Sequence, residues 1–357
     1  MSTVRSSLPA FGAALALTLV PSGDKIAFQP KEGSTVTKTF DISGDFALDE
    51  MSLIVNGQDI GGMVGQIEMS MKQESHFEVT DTYEKVADGR PTSLLRTFDR
   101  LHAQMSMDMS PAQADLPEMS STSSLEGKTV AFHWNPDEGA YDRSFKEGEG
   151  DESLLEGLEE NMDLRVFLPT EEVSADDSWT VELKELVSVT APGGNMSMAP
   201  EGMDIDQDSI KMFEEMFGDF GKEFGDLLEG ECKCTYRGMI EEGDAHLAEI
   251  AIEVEVSATV DLTELLNKVI HKAIDESGVD AEVDFSLDTA DLSIDFEGSG
   301  TLLWNPAAGR FHSFQLGGDA TLGFDLAVGV EAEGESQKLD ASLELSGSLR
   351  NEASVAE

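Results

Sequence analysis

Beyond residue 23, apolar and polar residues alternate one by one along most of the chain. Ile67, Met69 and Met71 alternate with Gln66, Glu68 and Ser70, and Leu101, Ala103, Met105, Met107 and Met109 share one parity between mostly polar neighbours. Farther on, Val279 to Leu287, Leu322 to Val330 and Leu339 to Leu345 repeat the pattern. A period of two over such lengths predicts antiparallel strands with one apolar and one wet face.

Three stretches switch to a helical period. Asp261 and Glu264 stand at capping-box spacing before a stripe of Leu262, Leu265, Leu266, Val269, Ile270 and Ile274 that Gly278 ends, predicting a helix over 261–276. A shorter helix is expected over 151–162, presenting Leu154, Leu155 and Leu158. The third, over 208–229, would gather Phe213, Met216, Phe217, Phe220 and Phe224 on one face, flanked by Gly218, Gly221 and Gly225. Each interior glycine costs ~1 kcal/mol against alanine, so this helix needs a surface to lie on. A Gly-, Pro- and Met-rich linker, 192–204, precedes it.

One turn recurs. Residues 125–145 and 296–314 both carry Glu-Gly, then Trp-Asn-Pro-x-x-Gly, then an aromatic residue and Ser-Phe. Asn135-Pro136 and Asn305-Pro306 can open a turn that Gly139 and Gly309 close with positive φ, leaving Trp134 and Trp304 at the ends of two hairpins. The recurrence predicts two related β modules, over 23–150 and 230–350, joined by a helical connector over 151–229 and followed by a tail over 351–357. The expected fold class is therefore α+β, mostly antiparallel β, built as two tandem curved sheets or half-barrels, each covered by helix.

Charge narrows the partners. The 357 residues include 72 acidic and 23 basic ones, a formal charge of −49, which repels phosphate backbones and excludes nucleic acid. Residues 1–22 read as a signal peptide, with Arg5 before the uncharged run 8–20, which is too short to span a bilayer. Export to the periplasm or the exterior is expected, with no transmembrane segment in the mature chain.

Candidate chemistry is sparse. Asp204, Asp206, Asp208 and Glu215 stand at positions 1, 3, 5 and 12 of a calcium-loop pattern, although Ser209 replaces the turn glycine, and an acidic helix entry explains the same residues. Calcium is the one cofactor the chain suggests. Met69, Met71, Met105, Met107 and Met109 could line a core or a groove. Cys232 and Cys234 fall on one side of a strand, but two thiolates without a nearby histidine leave a metal site incomplete. The six histidines show no H-x-H or H-x-x-x-H spacing, and no nucleophile elbow, phosphate loop or dinucleotide fingerprint occurs.

Residues 168–179, LPTEEVSADDSW, carry Leu168, Pro169, Val173, Asp177, Ser178 and Trp179. They resemble the LP-x-x-x-V-x-x-G-D-S-W element of a family of secreted, β-rich bacterial proteins of unknown function, with Asp176 where that pattern has glycine. The resemblance implies export and a β fold and carries over no catalytic residue.

The reading these features support is a non-enzymatic, exported binding or envelope-associated module. Its groove for a lipid, acyl chain or apolar peptide would be formed by the methionine strands and the aromatic helix. The alternatives are a structural cell-surface protein whose acidic surface is bridged by cations, and a hydrolase using dispersed carboxylates or histidines. Oligomeric state is not legible.

Overall fold

The computed structural model describes residues 23–61, 67–110, 118–148, 150–201, 225–277, 283–332 and 335–356. Where apolar positions alternate, strands form, and several are unusually long. They are β1 (Thr35–Val55), β2 (Gln58–Asp59), β3 (Glu68–Ala87), β4 (Arg90–Ser110), β5 (Met119–Ser123), β6 (Thr129–Asn135), β7 (Ala140–Phe145), β8 (Ser178–Val181) and β9 (Met198–Pro200). There follow β10 (Glu229–Glu242), β11 (Ala245–Asp261), β12 (Val283–Asn305), β13 (Arg310–Ala332) and β14 (Glu335–Ala356). At about 3.3 Å per residue, the 23 residues of β12 extend about 75 Å.

The expectation of two helix-covered sheets is overturned: all of these strands join one antiparallel sheet. Its order is β7-β6-β4-β3-β1-β14-β13-β12-β11-β10-β8, with β2 on β1, β5 on β4 and β9 on β5. The junction is the pairing of β1 with β14, which runs from Thr37 opposite Ala356 to Val55 opposite Leu339. Two separate modules would leave those long strands as open edges, with their N–H and C=O groups unpaired; joining them removes both edges.

Local chemistry explains the turns. Asp88-Gly89 between β3 and β4 and Asn56-Gly57 between β1 and β2 both take positive φ at each position, the primed turn that matches strand twist. The two Trp-Asn-Pro turns close alike: Gly139 N–H donates to Asn135 O at 2.9 Å and Gly309 N–H to Asn305 O at 2.8 Å, and both glycines have φ +66°.

Among the described residues helix is scarce, and it does not form a cover over each of two sheets. The 261–276 expectation corresponds to α2 (Thr263–Ser277), while α1 is a single turn (Val187–Thr190). α2 lies against the β12 edge. The Asn267 amide donates to Leu287 O at 2.9 Å and accepts from Leu287 N at 3.2 Å, standing in for a neighbouring strand. Over 151–162 only the 3-10 turn Glu152–Leu155 forms. Gly157 takes φ +72°, and the Glu159 and Glu160 carbonyls go to Arg96 instead of a helical ladder.

One half of the sheet curls around a core. Its inner face meets the N-terminal stretch, through Ile26 and Phe28, and the connector, through Leu158, Met162, Phe167 and Val189. Phe167 stacks on Phe314 of β13 at 5.4 Å between ring centroids. Beyond a belt of glycines on that face, Gly44, Gly298, Gly318 and Gly347, the strands continue, and among the described residues no connector side chain joins the apolar cluster there. Backbones approach closely there: a Cβ at Gly318 would run into the Glu297 carbonyl oxygen, and one at Gly347 into that of Asp45. The belt separates a plugged half of the sheet from an open half.

Candidate functional site

What seats the connector is a buried set of charges. Lys38 of β1, Asp81 and Tyr83 of β3, and Arg96 of β4 point inward at positions where alternation calls for apolar residues. Lys38 Nζ lies 2.8 Å from Asp81 Oδ2 and 2.6 Å from Asp163 Oδ1 of the connector. Arg96 grips Asp81 with two nitrogens, at 2.7 and 2.8 Å, and donates to the Glu159 and Glu160 carbonyls at 2.9 and 2.8 Å. Tyr83 donates to Asp163 at 2.8 Å. Arg165 pairs with Glu160 and Asp163 and lies over the Phe28 ring at 4.0 Å. Three cations thus face three carboxylates, the arrangement that makes burial of charge tolerable.

The electrostatics follow from that geometry. Burial would raise the Asp81 carboxyl, but Arg96 and then Lys38 pull it down to about 2. Burial, Asp163 and Asp81 push the Tyr83 phenol well above its ordinary value. Burial likewise pushes the Glu160 carboxyl up against the pull of Arg165. Lys38, Asp81 and Arg96 have no solvent exposure, so no reacting atom of the three can reach a substrate. Their chemistry is docking.

The open half offers the accessible surface. β1 carries Phe46 and Leu48 on the inner side, and a bulge between Leu48 and Glu50 keeps Met51, Leu53 and Val55 there as well. Across the sheet, Leu343 of β14 opposes Met51 and Phe324 of β13, and Phe324 opposes Leu292 of β12. In β3 and β4 the register sets Met69 opposite Met109, Met71 opposite Met107 and Gln73 opposite Met105, with Met119 of β5 beyond Met105. Most of these side chains are half-buried; Met109, Met119 and Leu326 are exposed. Among the described residues of this region, Phe46, Ala320 and Leu345 form a small buried cluster.

The opposite face is polar. Asp41, Ser43 and Asp45 of β1, Asp295 and Glu297 of β12, and Asp319 of β13 alternate with the inner-face residues. A solvent-open depression of about 680 Å³ crosses this side at the glycine belt, lined by Ser43, Thr301, Gln315, Asp319 and Arg350 among others. A strand that meets lipid in a membrane barrel turns its apolar side outward and its polar side to the lumen. Here the apolar side is the one continuous with the core.

The other expected sites fare differently. Phe213, Met216, Phe217, Phe220 and Phe224, and the calcium candidates Asp204, Asp206, Asp208 and Glu215, lie outside the described residues. Cys232 and Cys234 are buried and free; their mutual hydrogen bond, with burial, holds the Cys234 thiol above its usual range. Among the described residues, no three His, Cys, Asp or Glu side chains are grouped to hold a metal. In the LPTEEVSADDSW stretch, Asp176 has φ +71°, a conformation that glycine adopts without strain, and Val173 pairs with Asp24. Sequence reasoning missed the ion network, because strand alternation marks inward positions but not which inward charges meet.

Comparison with known proteins adds little. No family model and no curated protein matches the chain. Among solved structures, the outer membrane protein OprG from Pseudomonas aeruginosa aligns at 6% identity over 90% of this chain and 97% of its own, with a TM-score of 0.19. The translocator domain of autotransporter NalP from Neisseria meningitidis aligns at 6% identity over 90% of this chain and 88% of its own, with a TM-score of 0.15. Scores this low carry no argument about fold or function. No helix among the described residues is long and apolar enough to cross a membrane.

Proposed function

We propose that this chain is a non-enzymatic binding module for a ligand with extended hydrocarbon chains, held on the inner face of the open half of its sheet. One observation carries the reading: that face is apolar, uncharged and half-exposed, while the same strands are sealed in the plugged half. Counted as about 10 residues deep and six strands wide (β12, β13, β14, β1, β3 and β4), it spans roughly 900 Å² of sheet. A soluble monomer rarely leaves more than a few hundred Å² of contiguous apolar surface without a use for it.

Methionine suits such a ligand. Its unbranched, polarizable side chain adapts to chains of differing shape, and Met69, Met71, Met105, Met107 and Met109 occupy one side of the β3–β4 pair. The net charge of −49 opposes self-association through this face and disfavours strongly anionic headgroups. Export, expected from residues 1–22, would bring the module to the envelope.

Native mass spectrometry and thermal shift with neutral phospholipids and fatty acids test the reading. A stoichiometric adduct that raises the melting temperature is expected, and Met107→Asp should abolish it. A chain that stays empty, or one that covers the face by dimerising in sedimentation runs, overturns it.

A further inference from the structure

The six histidines show no metal-binding spacing along the chain, but strand register brings two together. His76 of β3 and His102 of β4 are directly opposite each other, 26 positions apart in sequence. Both point to the polar face, because Phe77 and Leu101 beside them are buried on the inner one. Asp41 of β1 completes the row opposite His76, and its Oδ1 lies 2.7 Å from His76 Nδ1.

We propose that His76 and His102 form a two-imidazole site for a divalent transition-metal ion such as Zn2+, Ni2+ or Cu2+, with Asp41 as its positioning residue. An ionised carboxylate only accepts hydrogen bonds, so His76 Nδ1 carries the proton and donates it to Asp41. The Nε2 lone pair is thereby left free and the ring fixed. This carboxylate–histidine arrangement is the one that orients and strengthens imidazole ligands. Directly opposed residues have Cβ atoms about 4.5–5.5 Å apart, a separation from which two imidazoles can both reach one ion at about 2.0–2.1 Å.

The site is reachable, since the His76 side chain is 33% exposed. Glu74 and Glu78 flank His76 along β3, while Arg100 and Gln104 flank His102; the acidic surroundings draw in cations and the nitrogen donors select among them. Imidazole favours zinc, nickel and copper over calcium and magnesium. Among the described residues no third protein ligand is grouped with the pair, so water would fill the remaining positions and the coordination would stay open.

The test uses the full chain in excess Mg2+, which occupies the scattered carboxylates. Calorimetric titration with Zn2+ or Ni2+ should report one equivalent bound at micromolar affinity. His76→Ala and His102→Ala should each reduce binding below detection, and Asp41→Asn should weaken it about tenfold. The glutamine variants at both histidines keep a polar side chain and carry the same readout should an alanine variant fold poorly. Binding unchanged in the double histidine variant, or no binding once Mg2+ is present, overturns the proposal.

Discussion

The two halves of this sheet share the same strands, the same inner face and the same alternation, yet one is sealed and the other half-exposed. Phe40, Leu302, Phe314 and Ala353 are buried in the plugged half, while Leu48, Leu322, Phe324 and Leu343 in the open half are not. The difference lies in what covers them. In the plugged half the connector is held by a neutralised set of buried charges; beyond the glycine belt no such contact is made among the described residues. Burial here depends on a segment remote in sequence, more than on the strands themselves.

The comparison can be broken most severely at the ion network. Asp81→Asn would leave Lys38 and Arg96 buried with one fewer counter-charge, and a loss of about 3–5 kcal/mol is expected in urea unfolding. The connector should come loose along with it, read as new protease cleavage between residues 151 and 200.

The twin turns sharpen the same contrast with one residue type. Trp304 is fully buried beneath Phe28, so Trp304→Ala should destabilise by about 3–5 kcal/mol. Trp134 is half-exposed, with Arg90 3.8 Å over its ring, and Trp134→Ala should cost only about 1 kcal/mol. Equal effects on the denaturation midpoint would show that the two settings are energetically alike.

The pH response should come from the plugged half. The Asp81 carboxyl sits at about 2 in the fold against an ordinary 3.8, so its contribution, on the order of 2 kcal/mol, is complete above pH ~4 and lost as pH falls toward 2. The raised Tyr83 phenol has the opposite sense: its contribution is complete below pH ~10 and lost as pH rises further. Tyr83→Phe, which lacks the hydroxyl that donates to Asp163, should melt below wild type up to pH ~10, and the gap between the two curves should narrow as pH rises further. At the small end of the scale, Leu326→Ala in the open half should change stability by less than about 1 kcal/mol, because that side chain is already 39% exposed.

Much of the fold is legible along the chain because it is local. Alternation marks the strands, Asn135 to Gly139 and Asn305 to Gly309 mark two hairpins, and the capping spacing at Asp261 marks α2. The Leu154, Leu155 and Leu158 pattern misleads, because Gly157 breaks the helix and Arg96 claims the carbonyls that would have continued it. The recurrence of Trp-Asn-Pro suggests two sheets, whereas β1 and β14, from opposite ends of the chain, pair and make one. The methionine strands are legible as an apolar row, but not as a row left open. The meeting of His76 with His102, and of Lys38 and Arg96 with Asp81 and Asp163, is not legible at all.

The sequence alone determined the pleated pattern, the positions of the turns and the strong negative charge, since each depends on neighbours within a few residues. Only the tertiary structure decided that the strands share one sheet, which half of its apolar face is covered, and which distant charges and histidines come together. Those outcomes rest on register and docking between remote segments, where the gain from pairing edges and neutralising buried charge is set by geometry that no local pattern encodes.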